Sequence, residues 1–174
     1  MNYVDEADDP VHIYPRTSIL MQPGDIIYSH KTGLSSFIVG HEGIVGEDFK
    51  IYHVNSRGRY GHSDSMPIYL SRHKKGEKLT ILRNKDAEIA RQAAKWAKRN
   101  IENVTRYTYS RNLADVERNY CSKFVWQAYF YGSEGEIDLT DRGSEVNVKR
   151  YITPTHIYRN LVVIGHFTNN LYHR

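Results

Sequence analysis

Two β-rich runs, residues 37–45 and 49–54, are separated only by Gly46-Glu47-Asp48. A short Gly/Asp turn between such runs predicts a β-hairpin. Its register constrains the rest of the chain, because a one-residue slip moves every side chain to the other face. A three-residue loop at Gly46-Glu47-Asp48 sets His41 directly opposite His53. Any odd loop keeps the two imidazoles on one face, and an even loop separates them.

Further strands are predicted at 26–28, after a Gln22-Pro23-Gly24-Asp25 turn, and at 66–70, 79–82 and 161–164. The last reads as a buried strand. Residues 86–101 give the clearest helix. Asp86 can cap it, Ile89, Ala90, Ala93, Ala94, Trp96 and Ala97 make one face, and Lys98 and Arg99 suit its C-terminal end. Residues 106–109 read as an extended polar-aromatic connector and 112–118 as a short helical turn. Thr153-Pro154 predicts an N-cap and first helical residue of a short helix to 158. Residues 1–18 form an irregular lead-in, 31–36 a polar loop, 57–65 a glycine-rich loop, and 132–149 a polar loop or lid. No repeat or linker interrupts the 174 residues, so one α+β domain with a mainly antiparallel sheet is expected.

The single cysteine lies in Asn119-Tyr120-Cys121-Ser122-Lys123-Phe124-Val125-Trp126. Phe124, Val125, Ala128 and Tyr129 follow it at the spacing of one helix face, which puts Cys121 in a first helical turn. The unpaired N–H groups there favour a thiolate and predict a lowered pKa. The competing reading is a small buried hydrophobe. A cysteine hydrolase needs a thiolate, an imidazole and a group to orient that imidazole. Cys121, His41 and His53 can supply all three. The Cys121 amide and the Tyr107 hydroxyl are candidate oxyanion donors. The chain has nine histidines, so each alone is weak evidence and the combination carries the reading.

The motifs Pro23-Gly24-Asp25-Ile26-Ile27, Gly40-His41-Glu42-Gly43-Ile44-Val45, Ile51-Tyr52-His53-Val54, Arg106-Tyr107-Thr108-Tyr109, Tyr120-Cys121-Ser122-Lys123-Phe124-Val125 and Ile152-Thr153-Pro154 occur in that order. Together they resemble the circularly permuted NlpC-type papain-like hydrolases, the YiiX-like group. The histidine strand precedes the cysteine helix, as in the permuted branch. The resemblance spans residues 20–160. It implies a papain-like fold of permuted topology, a sheet or half-barrel packed on helices that include the Cys121 helix. It also implies Cys121 as nucleophile, His41 as general base, His53 as the orienting residue and a Tyr107 hydroxyl near the thiol.

The expected function is hydrolysis of an amide through an acyl-enzyme, with a cell-wall peptide or acylated amine as leading substrate. A lipid acyltransferase or thioesterase at the same site is the alternative, and a non-catalytic binding module the third reading. No cofactor is expected. A zinc site from His41, His53 and Cys121 has legitimate ligand types but lacks a short ligand pair. The net charge is +4, and residues 1–15 hold four acids and no Lys or Arg, leaving about +8 on the remainder. That balance favours anionic surfaces or polymers. Nucleic-acid binding has only charge and fourteen tyrosines behind it and is not expected. No apolar run reaches the length of a membrane span and no signal peptide is visible, so a soluble protein is expected, with compartment and oligomeric state open.

Overall fold

The computed structural model describes residues 11–30, 40–140 and 149–170. The expected loop at 31–36, the first three residues of the run at 37–45, the acidic start of the lead-in and the 141–148 part of the polar loop lie outside the described residues. The elements follow as β1 (Ile26–Ser29), β2 (His41–Val45), β3 (Ile51–Val54), β4 (Gly61–Asp64), α1 (Met66–Ser71), β5 (Lys78–Arg83) and α2 (Ala87–Asn100). Then come β6 (Arg106–Tyr107), β7 (Arg118–Asn119), α3 (Cys121–Gly132), α4 (Pro154–Asn160) and β8 (Val162–Thr168). Six strands form one antiparallel sheet in the order β4-β3-β2-β1-β5-β8, and β6 and β7 form a small parallel pair. The fold is α+β.

Both faces of this sheet are covered, so β1 and β3 are buried at every residue. Ile26, Ile44, Tyr52 and Val54 meet Ala93, Ala97, Phe124, Val125 and Tyr129 of α2 and α3. The alternate residues Ile27, Val45, Ile51, Leu79 and Ile81 meet Tyr14, Tyr69 and Leu70 on the other face. Successive side chains of a strand point to opposite faces, which is why one strand feeds two cores. In α2, Asp86 accepts from the amides of Glu88 and Ile89 as the sequence predicts. The alanine face of α2 allows close packing on α3. A Cβ at Gly132 would sit 2.9 Å from the Gln92 carbonyl oxygen.

Several elements differ from their sequence reading. Residues 66–70 are helical, not a strand. Pro67 sits in the first turn, where its missing N–H costs no hydrogen bond. The predicted loop 57–65 contains β4, a polar strand whose only buried residue is Asp64 and which therefore shows no apolar alternation. Strand β8 is longer than expected and is an edge, so Val162 and Val163 remain 40 % and 38 % exposed. Within the expected helical turn at 112–118, residues 112–117 make turns and Arg118 opens β7, because the Asn112 and Asp115 side chains take the amides of Ala114 and Arg118 in place of helical carbonyls. The β2–β3 loop is Glu47-Asp48-Phe49, one residue later than predicted, with Gly46 and Lys50 closing it and Phe49 at φ 59°.

Gly24 holds the turn before β1 against α2. Its φ is 89°, and a Cβ there would lie 2.2 Å from the Ala90 carbonyl oxygen. The Tyr129 hydroxyl donates to its carbonyl at 2.6 Å. Gly24→Ala is expected to destabilise the fold by about 2–4 kcal/mol, a drop of roughly 5–15 °C in Tm on thermal unfolding.

Candidate active site

The loop shift changes the pairing but keeps its parity. Ile44 pairs with Tyr52 and Val45 with Ile51, so His41 and His53 are diagonal neighbours on one face, not direct partners. Their rings meet, with His41 Nε2 3.0 Å from His53 Nδ1. The chain of contacts continues across the next strand, where His53 Nε2 lies 2.7 Å from Asp64 Oδ2. Arg72, just past α1, closes it by donating Nε to Oδ2 at 2.7 Å and Nη2 to Oδ1 at 3.2 Å.

The partners dictate the protons along this line. Hydrogen bonds from Arg72 and His53 hold the Asp64 carboxyl well below the usual carboxylate range, although its partial burial opposes them. Asp64 is therefore an acceptor and takes the His53 Nε2 proton. Burial lowers His53 to about 4 against the pull of Asp64, so the ring is neutral at pH 7 and its Nδ1 is an acceptor. His41 then donates Nε2–H to it, and the remaining His41 nitrogen, Nδ1, carries a lone pair. That is the protonation state of a general base.

Cys121 is the first residue of α3, as predicted. Its sulfur accepts hydrogen bonds from the amides of Glu42 and Ser122. The Glu42 amide lies beyond the last β2–β3 pair, so the sulfur is set on the β2 backbone one residue from His41. The expected low pKa is not found. Burial pushes the thiol up to about 12, with the Glu42 carboxyl adding to the rise, and the N–H groups offset only part of it. Cys121 is 3 % exposed, and a first helical turn favours a thiolate less than that burial disfavours it. The helix is also not amphipathic: every residue from Cys121 to Phe130 is buried.

Tyr107 is in β6, half-buried, with its hydroxyl 3.4 Å from that of Tyr109. Burial and the nearby Cys121 both raise its pKa. The structure thus brings His41 and His53 into contact, sets the Cys121 sulfur of α3 against the β2 backbone, and leaves Tyr107 within electrostatic reach of the thiol. Asp64 and Arg72 went unread in the sequence. The available signal was the Ser65-Met66-Pro67 helix start, which ends a strand at Asp64 and turns Arg72 back toward it.

A profile of proteins described as LnsA-like lipoprotein N-acylation proteins matches residues 6–157. The chain belongs to the LnsA-like lipoprotein N-acylation family. An uncharacterized 30.3 kDa protein of Bacillus thuringiensis is 30 % identical over 123 residues, 65 % of this chain and 45 % of that one. The LnsA-like chain therefore spans about half the length of that relative. The crystal structure of metalloprotein yiiX from Escherichia coli O157:H7 is similar over 83 % of this chain and 96 % of that one, with a TM-score of 0.58 and 20 % identity. The YiiX-like fold is shared. Among the described residues no three His, Cys, Asp or Glu side chains converge as metal ligands, and the His41–His53 contact occupies a nitrogen of each ring.

The neutral state of His53 makes stability pH-dependent. Below its ordinary value of 6.5 the unfolded chain takes up a proton that the folded protein refuses until about pH 4. Stability from this group is complete above pH 6.5 and is lost as pH falls to 4, by up to roughly 3 kcal/mol. Tm measured across pH 4–7 should fall more steeply for wild type than for His53→Gln.

Proposed function

We propose that this LnsA-like chain transfers a fatty acyl group through a thioester on Cys121 to an amine. The reading rests on the family and on one observation, the His41–His53–Asp64–Arg72 line beside the strand that holds the sulfur. His41 Nδ1 takes the thiol proton. The thiolate attacks the carbonyl of an acyl ester, and the new S–C bond leaves the charge on oxygen, where the Cys121 amide and the Tyr107 hydroxyl are the candidate donors. Collapse expels the alkoxide, which takes the proton back from His41. The acceptor amine then attacks the thioester and gives its proton to His41, and the leaving thiolate takes that proton back to restore the thiol. His53 and Asp64 keep His41 in the tautomer this cycle needs.

The order of histidine strand and cysteine helix supports a permuted papain-like arrangement. The family description favours a lipoprotein N-terminal amine as acceptor. Hydrolysis, including cleavage of a cell-wall amide, uses the same thioester and differs only in water taking the place of the amine.

Incubation with a fatty acyl ester, followed by intact-mass measurement, tests the proposal. A hydroxylamine-sensitive acyl adduct is expected on wild type and absent from Cys121→Ala. His41→Ala should slow its formation by about 10²–10⁴-fold. Asp64→Asn should slow it by about 10–100-fold while the adduct still forms. Adduct formation on Cys121→Ala, or equal rates in wild type and His41→Ala, would sink the reading.

A further inference from the structure

One titratable group at the site has no part in that cycle. Glu42 is fully buried, and neither carboxyl oxygen has a hydrogen-bond partner among the described residues. Burial pushes its pKa well above the ordinary value and favours the neutral acid over the carboxylate. The groups facing it are few. Tyr28 lies opposite on β1 and Cys121 comes from α3, while Tyr69 of α1 lies across the sheet on its other face; each of the three has its pKa raised in part by Glu42. None of them is a cation. The Cys121 sulfur hydrogen-bonds to the Glu42 backbone amide, so it lies within one side-chain length of the same residue's carboxyl.

A buried carboxyl with no partner costs stability, and a hydrophobic residue of similar size would remove that cost. Its use becomes clear when the sulfur ionises. A thiol offers an O–H donor little, and a thiolate in the same place is a strong acceptor. We propose that Glu42 is a catalytic acid-form carboxyl that donates its O–H to the Cys121 sulfur as His41 removes the thiol proton. This deepens the acyl-transfer reading and rests on it for the role of His41. The thiol proton moves to His41 Nδ1, Glu42 keeps its own proton throughout, and the sulfur lone pair then forms the S–C bond. The device resembles a carboxylic acid kept neutral by an apolar site so that it can donate a hydrogen bond. It also reverses with pH. Above the raised pKa of Glu42 the donor becomes a carboxylate beside the sulfur, and thiolate formation is opposed.

Cys121 is the only cysteine, so iodoacetamide alkylation reads this thiol alone and does not depend on any acyl substrate. At pH 8, Glu42→Met should slow alkylation about tenfold, one pKa unit of lost thiolate stabilisation. Glu42→Gln, a weaker neutral donor, should slow it only about threefold. Glu42→Met should also raise Tm, which separates lost reactivity from misfolding. With rising pH the wild-type rate should level off as Glu42 ionises, whereas the Glu42→Gln rate should keep climbing as for a lone thiol. Equal alkylation of wild type and Glu42→Met overturns the proposal, and so does a levelling that persists unchanged in Glu42→Gln. If the alkylation pattern holds and no acyl adduct forms, the acyl-transfer reading fails and the Glu42–Cys121 coupling stands.

Discussion

The fold depends on burying α3 on every side. A helix enclosed from Cys121 to Phe130 must satisfy its polar side chains from within. Ser122 donates to the Ile152 carbonyl at 2.8 Å, and Lys123 Nζ donates to the Arg118 carbonyl at 2.7 Å. Gln127 donates to the carbonyls of Leu113 and Asp115 and accepts from Asn119. Trp126 donates to Asp138, which Arg150 also holds. Segments with no apolar periodicity of their own, around 113–119 and 138–152, are thereby fixed to the central helix. Burial lowers the Lys123 ammonium to about 8, and the Arg118 carbonyl contact keeps its donor engaged.

The same helix sets the thiol. Its first residue meets β2 beyond the last residues that pair with β3. The sulfur takes the Glu42 amide there, and the two imidazoles come together on the face shared with Tyr69. Gly43 keeps that face open. A Cβ there would lie 2.7 Å from Ile51 Cγ2 and 3.3 Å from the Tyr69 hydroxyl. Helix α1 then contributes Tyr69 against His53 and is followed at once by Arg72, the partner of Asp64. A largely buried carboxylate without such a cation would be protonated or destabilising. The Arg72 contact is what makes Asp64 an acceptor and so assigns the tautomer of both histidines.

Much of this was legible in the chain itself. Local signals specified the elements they govern: Asp86 for α2, Thr153-Pro154 for α4, and the Gly/Asp turn for the hairpin. Parity alone put His41 and His53 on one face, because side chains alternate whichever odd loop is chosen. The position of Cys121 at a helix start followed from the spacing of Phe124, Val125, Ala128 and Tyr129. What escaped were the elements with weak periodicity. Strand β4 is polar because it is an edge, and α1 is six residues long, too short for a helical period to show.

The chemistry of the site was decided by tertiary structure. Residue types and spacing determine that a thiol and two imidazoles can meet. They do not determine the dielectric around them. The Cys121 thiol is raised, not lowered, because α3 is enclosed on all sides, and enclosure is a sum over contacts from distant segments. The roles of Asp64, Arg72 and Glu42 depend likewise on which strands and helices pack beside β2 and β3. An amphipathic pattern can be read along one segment, but the desolvation of a charge depends on everything packed around it.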